Sequence, residues 1–218
     1  MSNSLRIAIA GKAGSGKSTA AKWLEETYGF TRFALAGKLK ELCSLHSSPD
    51  RWDEVRRHVD DLLPSASISV RDSIESGVLD TFSTTPVVNG KNRGLLQCVG
   101  TDVVRSYADT AWVDYFLRIT EDEDRAVVDD VRFANEFEAL KSNGWKLVLC
   151  DLPLDVRQSR IAAEYGRPLT TEELTHPSEK DMDEVPREEW DWIIDTSGTV
   201  AEEWLEVGKM MLIFLEEV

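Results

Sequence analysis

The sequence predicts a three-layer α/β fold, five parallel strands with helices on both faces, and two observations carry that expectation. A short apolar run, "LRIAIA" at 5–10, passes directly into the glycine-rich "GKAGSGKST" and then into a helical pattern. Further apolar runs at 125–130, 145–152 and 190–195 are each followed by a turn or an amphipathic stretch. Strands that are apolar throughout and alternate with helices are parallel strands covered on both faces.

Each element follows in order. After the strand at 5–10, a helix runs from Lys17 to about Tyr28, with Ala20, Ala21 and Leu24 on one face and Gly29 as its stop signal. "FTRFAL" (30–35) reads as the second strand and "AGKLKELCSL" (36–45) as a helix. "RWDEVRRHVDDLL" places Trp52, Val55, Val59 and Leu62 or Leu63 on one helical face, ended by Pro64. "SVRDSIESGVL" reads as a helix and "FSTTPVVNGKNRG" as a loop. The stretch 44–93 is set apart as an inserted substrate-binding segment. "LLQCVGTDVVRSYA" and "TAWVDYFLRIT" are helical, "RAVVDD" is a strand ending in two carboxylates, and "FANEFEALKSNG" is a helix closed by Gly144. "WKLVLCDL" is the next strand, "LDVRQSRIAAEYG" an arginine-rich helix, and 154–185 a lid region. "WDWIID" is the last strand, followed by a turn and an apolar closing helix that packs on the sheet or forms a dimer contact, the former being favoured.

The length, 218 residues, fits one domain with an inserted lobe, and 42% hydrophobic with 30% charged residues describes an ordinary folded protein. A formal charge of -15 argues against nucleic acid as the main partner, although a local arginine cluster still accommodates a small anion. Three cysteines without a C-x-x-C pair support neither a disulfide framework nor a zinc site. Neither a signal-peptide organisation nor an apolar run of membrane-spanning length is present, so the expectation is a cytoplasmic protein with no membrane partner, monomeric or homodimeric.

Gly11, Gly16, Lys17 and Ser18 satisfy G-x-x-x-x-G-K-[ST] at every fixed position. Glycines let successive backbone N–H groups converge on phosphate oxygens, and the following helix begins where its free N–H groups favour an anion. Lys17 is placed for the β- and γ-phosphates, and the Ser18 hydroxyl for magnesium. Asp129 and Asp130 stand at the carboxyl end of a parallel strand, where open α/β sheets bind ligands, and one of them is a metal candidate. Arg105, Arg132, Arg157, Arg160 and Arg167 are the arginines that could grip a second anion; Arg157 and Arg160 share a helix face.

"GKAGSGKST", "LLQCVGTDVVR" followed by "WV", "VVDDVRFANE", "HPSE" and "DWIIDTSGT" together resemble the bacteriophage-type deoxynucleoside monophosphate kinases of the P-loop kinase superfamily. The resemblance runs in order along most of the chain outside 44–93. It implies a nucleoside monophosphate kinase fold and the reaction of a deoxynucleoside monophosphate with ATP, magnesium-dependent, to the diphosphate and ADP, with modified pyrimidines as further substrates. For a phage-encoded protein it implies the cytoplasm of the host cell.

By the same resemblance, Gly11, Ala13, Gly14, Ser15, Gly16, Lys17, Ser18 and Thr19 hold the ATP phosphates, and Ser18 with Asp130 serves magnesium. Gln97, Thr101 and Arg105 form the monophosphate pocket together with Lys38 or Lys40, while Asp130 and Arg132 face the acceptor and the metal. Arg157 and Arg160 close over the reacting phosphates, joining Lys17 and Arg132 in catalysis, and the turn after Asp195 passes the adenine. His176 is read as a turn or cap residue, and Trp112, Tyr115 and Phe116 as core in preference to base-stacking groups. A P-loop kinase of another acceptor, hydroxymethylpyrimidine in DNA or a metabolite such as dephospho-coenzyme A, is the second reading, and a non-catalytic nucleotide switch the third.

Overall fold

The computed structural model describes residues 4–48, 50–87, 92–175 and 180–217, which divide into two compact units. One comprises 1–34 and 120–218 and holds the sheet; the other spans 35–119 and is helical, wider than the 44–93 stretch set apart in the sequence.

In the first unit β1 (Leu5–Ala10), β2 (Thr31–Phe33), β3 (Arg125–Val131), β4 (Lys146–Asp151) and β5 (Trp192–Asp195) form one parallel sheet in the order β2-β3-β1-β4-β5. β1 takes the centre because its residues tolerate burial on both faces: Ile7, Ala8 and Ile9 are fully buried. The chain winds from β1 outward to β2 on one side and later to β4 and β5 on the other. The ends of β1, β3 and β4 therefore flank a topological switch point, the crevice where such sheets bind ligands.

α1 (Lys17–Tyr28) and α10 (Val200–Glu216) cover one face of the sheet. Ala20, Ala21 and Leu24 of α1 and Val207, Met210, Met211 and Phe214 of α10 pack with Ile7, Ile9, Val127, Val148 and Ile194 of the strands. α10 opens with a capping box in which Thr199 accepts from the Glu202 N–H and Glu202 accepts from the Thr199 N–H. Its opposite face leaves Leu205, Leu212, Ile213 and Leu215 exposed. α7 (Ala134–Ser142), α8 (Leu154–Tyr165), the short α9 (Thr171–Thr175) and two 3₁₀ turns (Asp181–Glu184, Arg187–Glu189) complete the unit.

The described residues of the helical unit form α2 (Gly37–Ser44), a 3₁₀ turn (Leu45–Ser47), α3 (Arg51–Leu62), α4 (Ile68–Thr84), α5 (Arg93–Gln97), a π-helical segment (Cys98–Arg105) and α6 (Ala111–Ile119). Its core gathers Leu42, Val55, Val59, Ile74, Val78, Phe82, Val99, Val104 and Trp112. α4 extends to Thr84, so "FST", expected in the loop, is helical: Thr81, Ser83 and Thr84 satisfy their hydroxyls on carbonyls one turn back. Cys43 and Cys150 are buried, with their thiols pushed up to about 12, and all three cysteines are free. Among the described residues no helix is long and apolar enough to cross a membrane. The "HPSE" of the sequence analysis, including His176, lies outside the described residues.

Candidate active site

The glycine-rich loop after β1 turns through left-handed backbone at Gly14 (φ 77°) and Gly16 (φ 89°), conformations that favour glycine. The α1 N-terminus carries no side-chain cap; its entry residue, Gly16, has no side chain to offer, which leaves the first N–H groups directed into the loop. Ser15 N–H donates to Lys12 O at 3.1 Å, and Thr19 N–H to Gly16 O at 2.8 Å. Lys17, 8% exposed, folds its ammonium back over the loop, donating to Gly11 O (2.6 Å) and Lys12 O (2.8 Å). A flexible point charge with three donors is held where an anion in the loop would meet it.

β3 meets β1 with a bulge: Ala8 pairs with Val128 and Ala10 with Val131, so Asp129 and Asp130 together oppose Ile9. Bulges re-aim side chains beside sites, and this one falls on the acidic pair. Asp129, 8% exposed, lies on the same face as Val127, which packs with α1, and its Oδ2 accepts the Ser18 hydroxyl at 2.7 Å. The sequence reading paired Ser18 with Asp130; the structure pairs it with Asp129, because adjacent strand residues face opposite sides and α1 covers the Asp129 side. Arg32 of β2 holds the same carboxylate with two bonds, Nε to Oδ1 at 3.1 Å and Nη2 to Oδ2 at 2.5 Å. That hydrogen bond raises the Arg32 pKa.

A cavity of about 370 Å³ opens at the carboxyl ends of β1, β3 and β4. Gly11, Lys12 and Ser15 of the loop line it, facing Arg132, Arg157 and Arg187. Arg157 is 6% exposed; its Nη1 donates to Ala13 O at 3.4 Å, and its buried Nε has no hydrogen-bond partner. Burying a guanidinium against a phosphate loop without a paired carboxylate is costly, so a ligand with acceptor oxygens suits this position. Glu136 of α7, 4% exposed, fixes the backbone beneath Arg132 by accepting the N–H groups of Arg132 (2.9 Å) and Phe133 (3.1 Å). At the rim Lys12 pairs with Asp183 at 2.6 Å and Arg187 with Asp151 at 2.8 Å.

Arg160, one turn beyond Arg157, has a different engagement from the one its spacing suggested. Its Nη2 donates to Thr196 O (2.6 Å) and Gly198 O (3.1 Å), so it ties α8 to the turn after β5. Thr196, almost fully buried, donates its hydroxyl to Ser15 O at 2.9 Å and joins that turn to the phosphate loop. Hydrogen bonds from the Ser197 side chain and from the Ser197 N–H lower the pKa of the Asp195 carboxylate.

In the helical unit Gln97, Thr101 and Arg105 share one face at four-residue spacing, Gln97 closing α5 and the other two on the π-helical segment. π-helical turns are rare and occur often at functional sites. Arg105 donates to Asp109 O at 3.2 Å. Lys38, expected at the acceptor phosphate, is buried and paired with Asp61 at 2.6 Å, with its ammonium 5.0 Å from the centre of the Tyr115 ring. Arg118 donates to the same carboxylate, and the two cations lower the Asp61 pKa against the effect of burial. Trp112 and Phe116 are core residues, with the Trp112 indole donating to Gly100 O.

Sequence reasoning missed Arg32, Glu136 and Glu203. A charge inside the strand "FTRFAL" was the available signal for Arg32. Glu203, 3% exposed on α10, packs against Gly16 and gave no signal among the many acidic residues of its helix.

The arrangement offers an anion cradle, a hydroxyl–carboxylate pair and a buried arginine. Ser18 and Asp129 supply hard oxygen atoms, the donor type that magnesium takes, with one or two protein ligands sufficing beside phosphates. No cluster of three or more His, Cys, Asp or Glu able to hold a metal occurs among the described residues.

No family model matches the chain. The chain is 25% identical over 215 residues, 92% of its length and 93% of the relative's, to the Acanthamoeba polyphaga mimivirus protein named "Putative deoxynucleotide monophosphate kinase". Its fold is similar to that of a gluconokinase from Sinorhizobium meliloti (TM-score 0.51, 14% identity, both chains fully covered). It is similar also to a shikimate kinase from Acinetobacter baumannii solved with shikimate (TM-score 0.53, 16% identity, 99% and 96% covered). The fold is shared with these two kinases, and the sequence similarity to the mimiviral protein extends over nine-tenths of the chain.

Proposed function

We propose that this chain transfers the γ-phosphoryl group of ATP to a deoxynucleoside monophosphate in the presence of magnesium. One observation carries the reading: the phosphate loop sits beside a hydroxyl–carboxylate pair, Ser18 with Asp129, and against a buried arginine whose Nε lacks a partner. The sequence similarity to the mimiviral protein supports the choice of acceptor.

In this reading the N–H groups of the loop from Gly11 to Thr19 bind the ATP phosphates, and Lys17 swings from the loop carbonyls onto phosphate oxygens. Ser18 and Asp129 would hold magnesium, which would supply positive charge to offset that of the phosphates. Arg132 and Arg157 orient and stabilise the transferring group from the cavity wall, and α8 excludes water around it. Arg160 and Thr196 position the turn that passes the adenine. Gln97, Thr101 and Arg105 bind the monophosphate; Lys38 belongs to the same unit, where Asp61 holds its ammonium. The acceptor phosphate is itself anionic at neutral pH, so no general base is needed.

The test is ADP formation from Mg-ATP against the four common dNMPs, hydroxymethylated dNMPs, the four NMPs, dephospho-coenzyme A and single-stranded DNA. Turnover that depends on a dNMP is the expected result. Turnover with DNA or the coenzyme precursor alone would retain the cradle and replace the acceptor, and turnover indifferent to every acceptor would end the kinase reading.

A further inference from the structure

Glu203 stands on α10 against Gly16 of the phosphate loop. A methyl group built on Gly16 would meet Glu203 Oε2 at 2.8 Å and Oε1 at 3.0 Å, so the carboxyl lies directly against the Gly16 backbone. The side chain is buried, and its Oε1 has no hydrogen-bond partner. A carboxyl placed so, unpaired and beside a loop that gathers anions, has no role in the proposed transfer step.

The charged groups around it are few. Lys17 of α1 is engaged with loop carbonyls, Lys12 of the loop with Asp183, and Arg160 of α8 with the turn after β5. Asp195 of β5 is turned to Ser197, and the Cys150 thiol of β4 is neutral at ordinary pH. On its own helix Glu202 is committed to Thr199 and Glu206 to Lys209. Burial pushes the Glu203 acid up to about 7, with Arg160 opposing the shift.

We propose that Glu203 is the proton-linked partner of the phosphate loop: protonation of its carboxyl and anion binding in the cradle favour each other, so nucleotide is taken up together with a proton. This regulation rests on the reading of the loop as a nucleotide-phosphate site. A phosphate seated over Gly16 repels the ionised carboxylate, and linkage makes the effect reciprocal. Nucleotide affinity is therefore highest on the acid side of neutrality. It falls as pH rises, about tenfold for each unit by which the ligand raises the carboxyl's pKa.

Calorimetric titration of the full chain with MgADP, in excess magnesium at about pH 7.5, measures the proton directly when repeated in buffers of different ionisation heat. A one-unit shift from about 7 predicts uptake of about half a proton per ADP bound. Glu203→Gln should bind MgADP with uptake abolished, and Glu203→Asp, whose shorter arm withdraws the acid from Gly16, with uptake reduced. Binding by the wild type without uptake would overturn the inference and leave the kinase reading standing. Undiminished uptake in Glu203→Gln would also overturn it; should that variant fail to fold, undiminished uptake in Glu203→Asp has the same force. Failure of MgADP to bind the wild type would remove both readings.

Discussion

Asp129 carries two relations, a hydroxyl bond from Ser18 and a bidentate pair with Arg32. Replacing a carboxylate that would hold the cation neutralising the transferring phosphates costs on the order of a hundredfold or more in rate. We therefore expect Asp129→Asn to lower kcat at least about a hundredfold, and Asp130→Asn less than about tenfold, in steady-state assays with saturating Mg-ATP. The reverse ranking would return the metal-facing role to Asp130. Glu203 yields a second expectation at this scale. Its pKa rises from 4.5 toward about 7 on folding, so its contribution to stability is fully present below about 4.5 and lost as pH climbs through 7. Melting temperatures should decline across that window in the wild type and decline less in Glu203→Gln; parallel profiles would mean that the carboxyl titrates normally. The sequence marked Asp129 only as one of two metal candidates and did not mark Glu203. The choice within "DD" depends on a bulge, which is a register event between strands distant in the chain, and the position of Glu203 depends on how α10 docks.

Elements were more legible, because their signals are local. Apolar runs bounded by turns located the sheet, with β2 and β5 shorter than their runs, and the i, i+3 spacing placed Arg157 and Arg160 on one face of α8. The spacing could not divide their labour, since that depends on what lies opposite each: the phosphate loop for Arg157, the turn after β5 for Arg160. Removing them should give different kinetic signatures. Arg157→Ala is expected to lower kcat by about 10²-fold with a small change in KM for ATP, as a group that stabilises the transferring charge does. Arg160→Ala frees two carbonyls of the turn and should raise KM for ATP several-fold with kcat nearly intact, as a positioning residue does. Equal effects on both constants from both variants would reject this division.

At the scale of the molecule, the residues assigned to ATP and those assigned to the acceptor fall in different units. The phosphate loop, Asp129, Arg132 and Arg157 belong to the unit of 1–34 and 120–218, whereas Gln97, Thr101 and Arg105 belong to 35–119. The stretch 44–93, where the family resemblance could not be followed, lies inside the helical unit. The limits of that unit were not legible, since Leu42 and Trp112, both outside 44–93, join the same apolar core only in three dimensions. The separation leads to a kinetic expectation. Loss of one charge-assisted hydrogen bond to a bound phosphate costs about 1.5–3 kcal/mol, or roughly ten- to a hundredfold in affinity. Arg105→Ala should therefore raise KM for the monophosphate by about that factor while leaving the dissociation constant for MgADP within about twofold of the wild type. Lys17→Ala should abolish transfer and weaken MgADP while the protein stays folded by circular dichroism. If Arg105→Ala weakened MgADP as much as it weakened the monophosphate, the helical unit would have no separate claim on the acceptor, and the assignment of its arginine would have to be withdrawn.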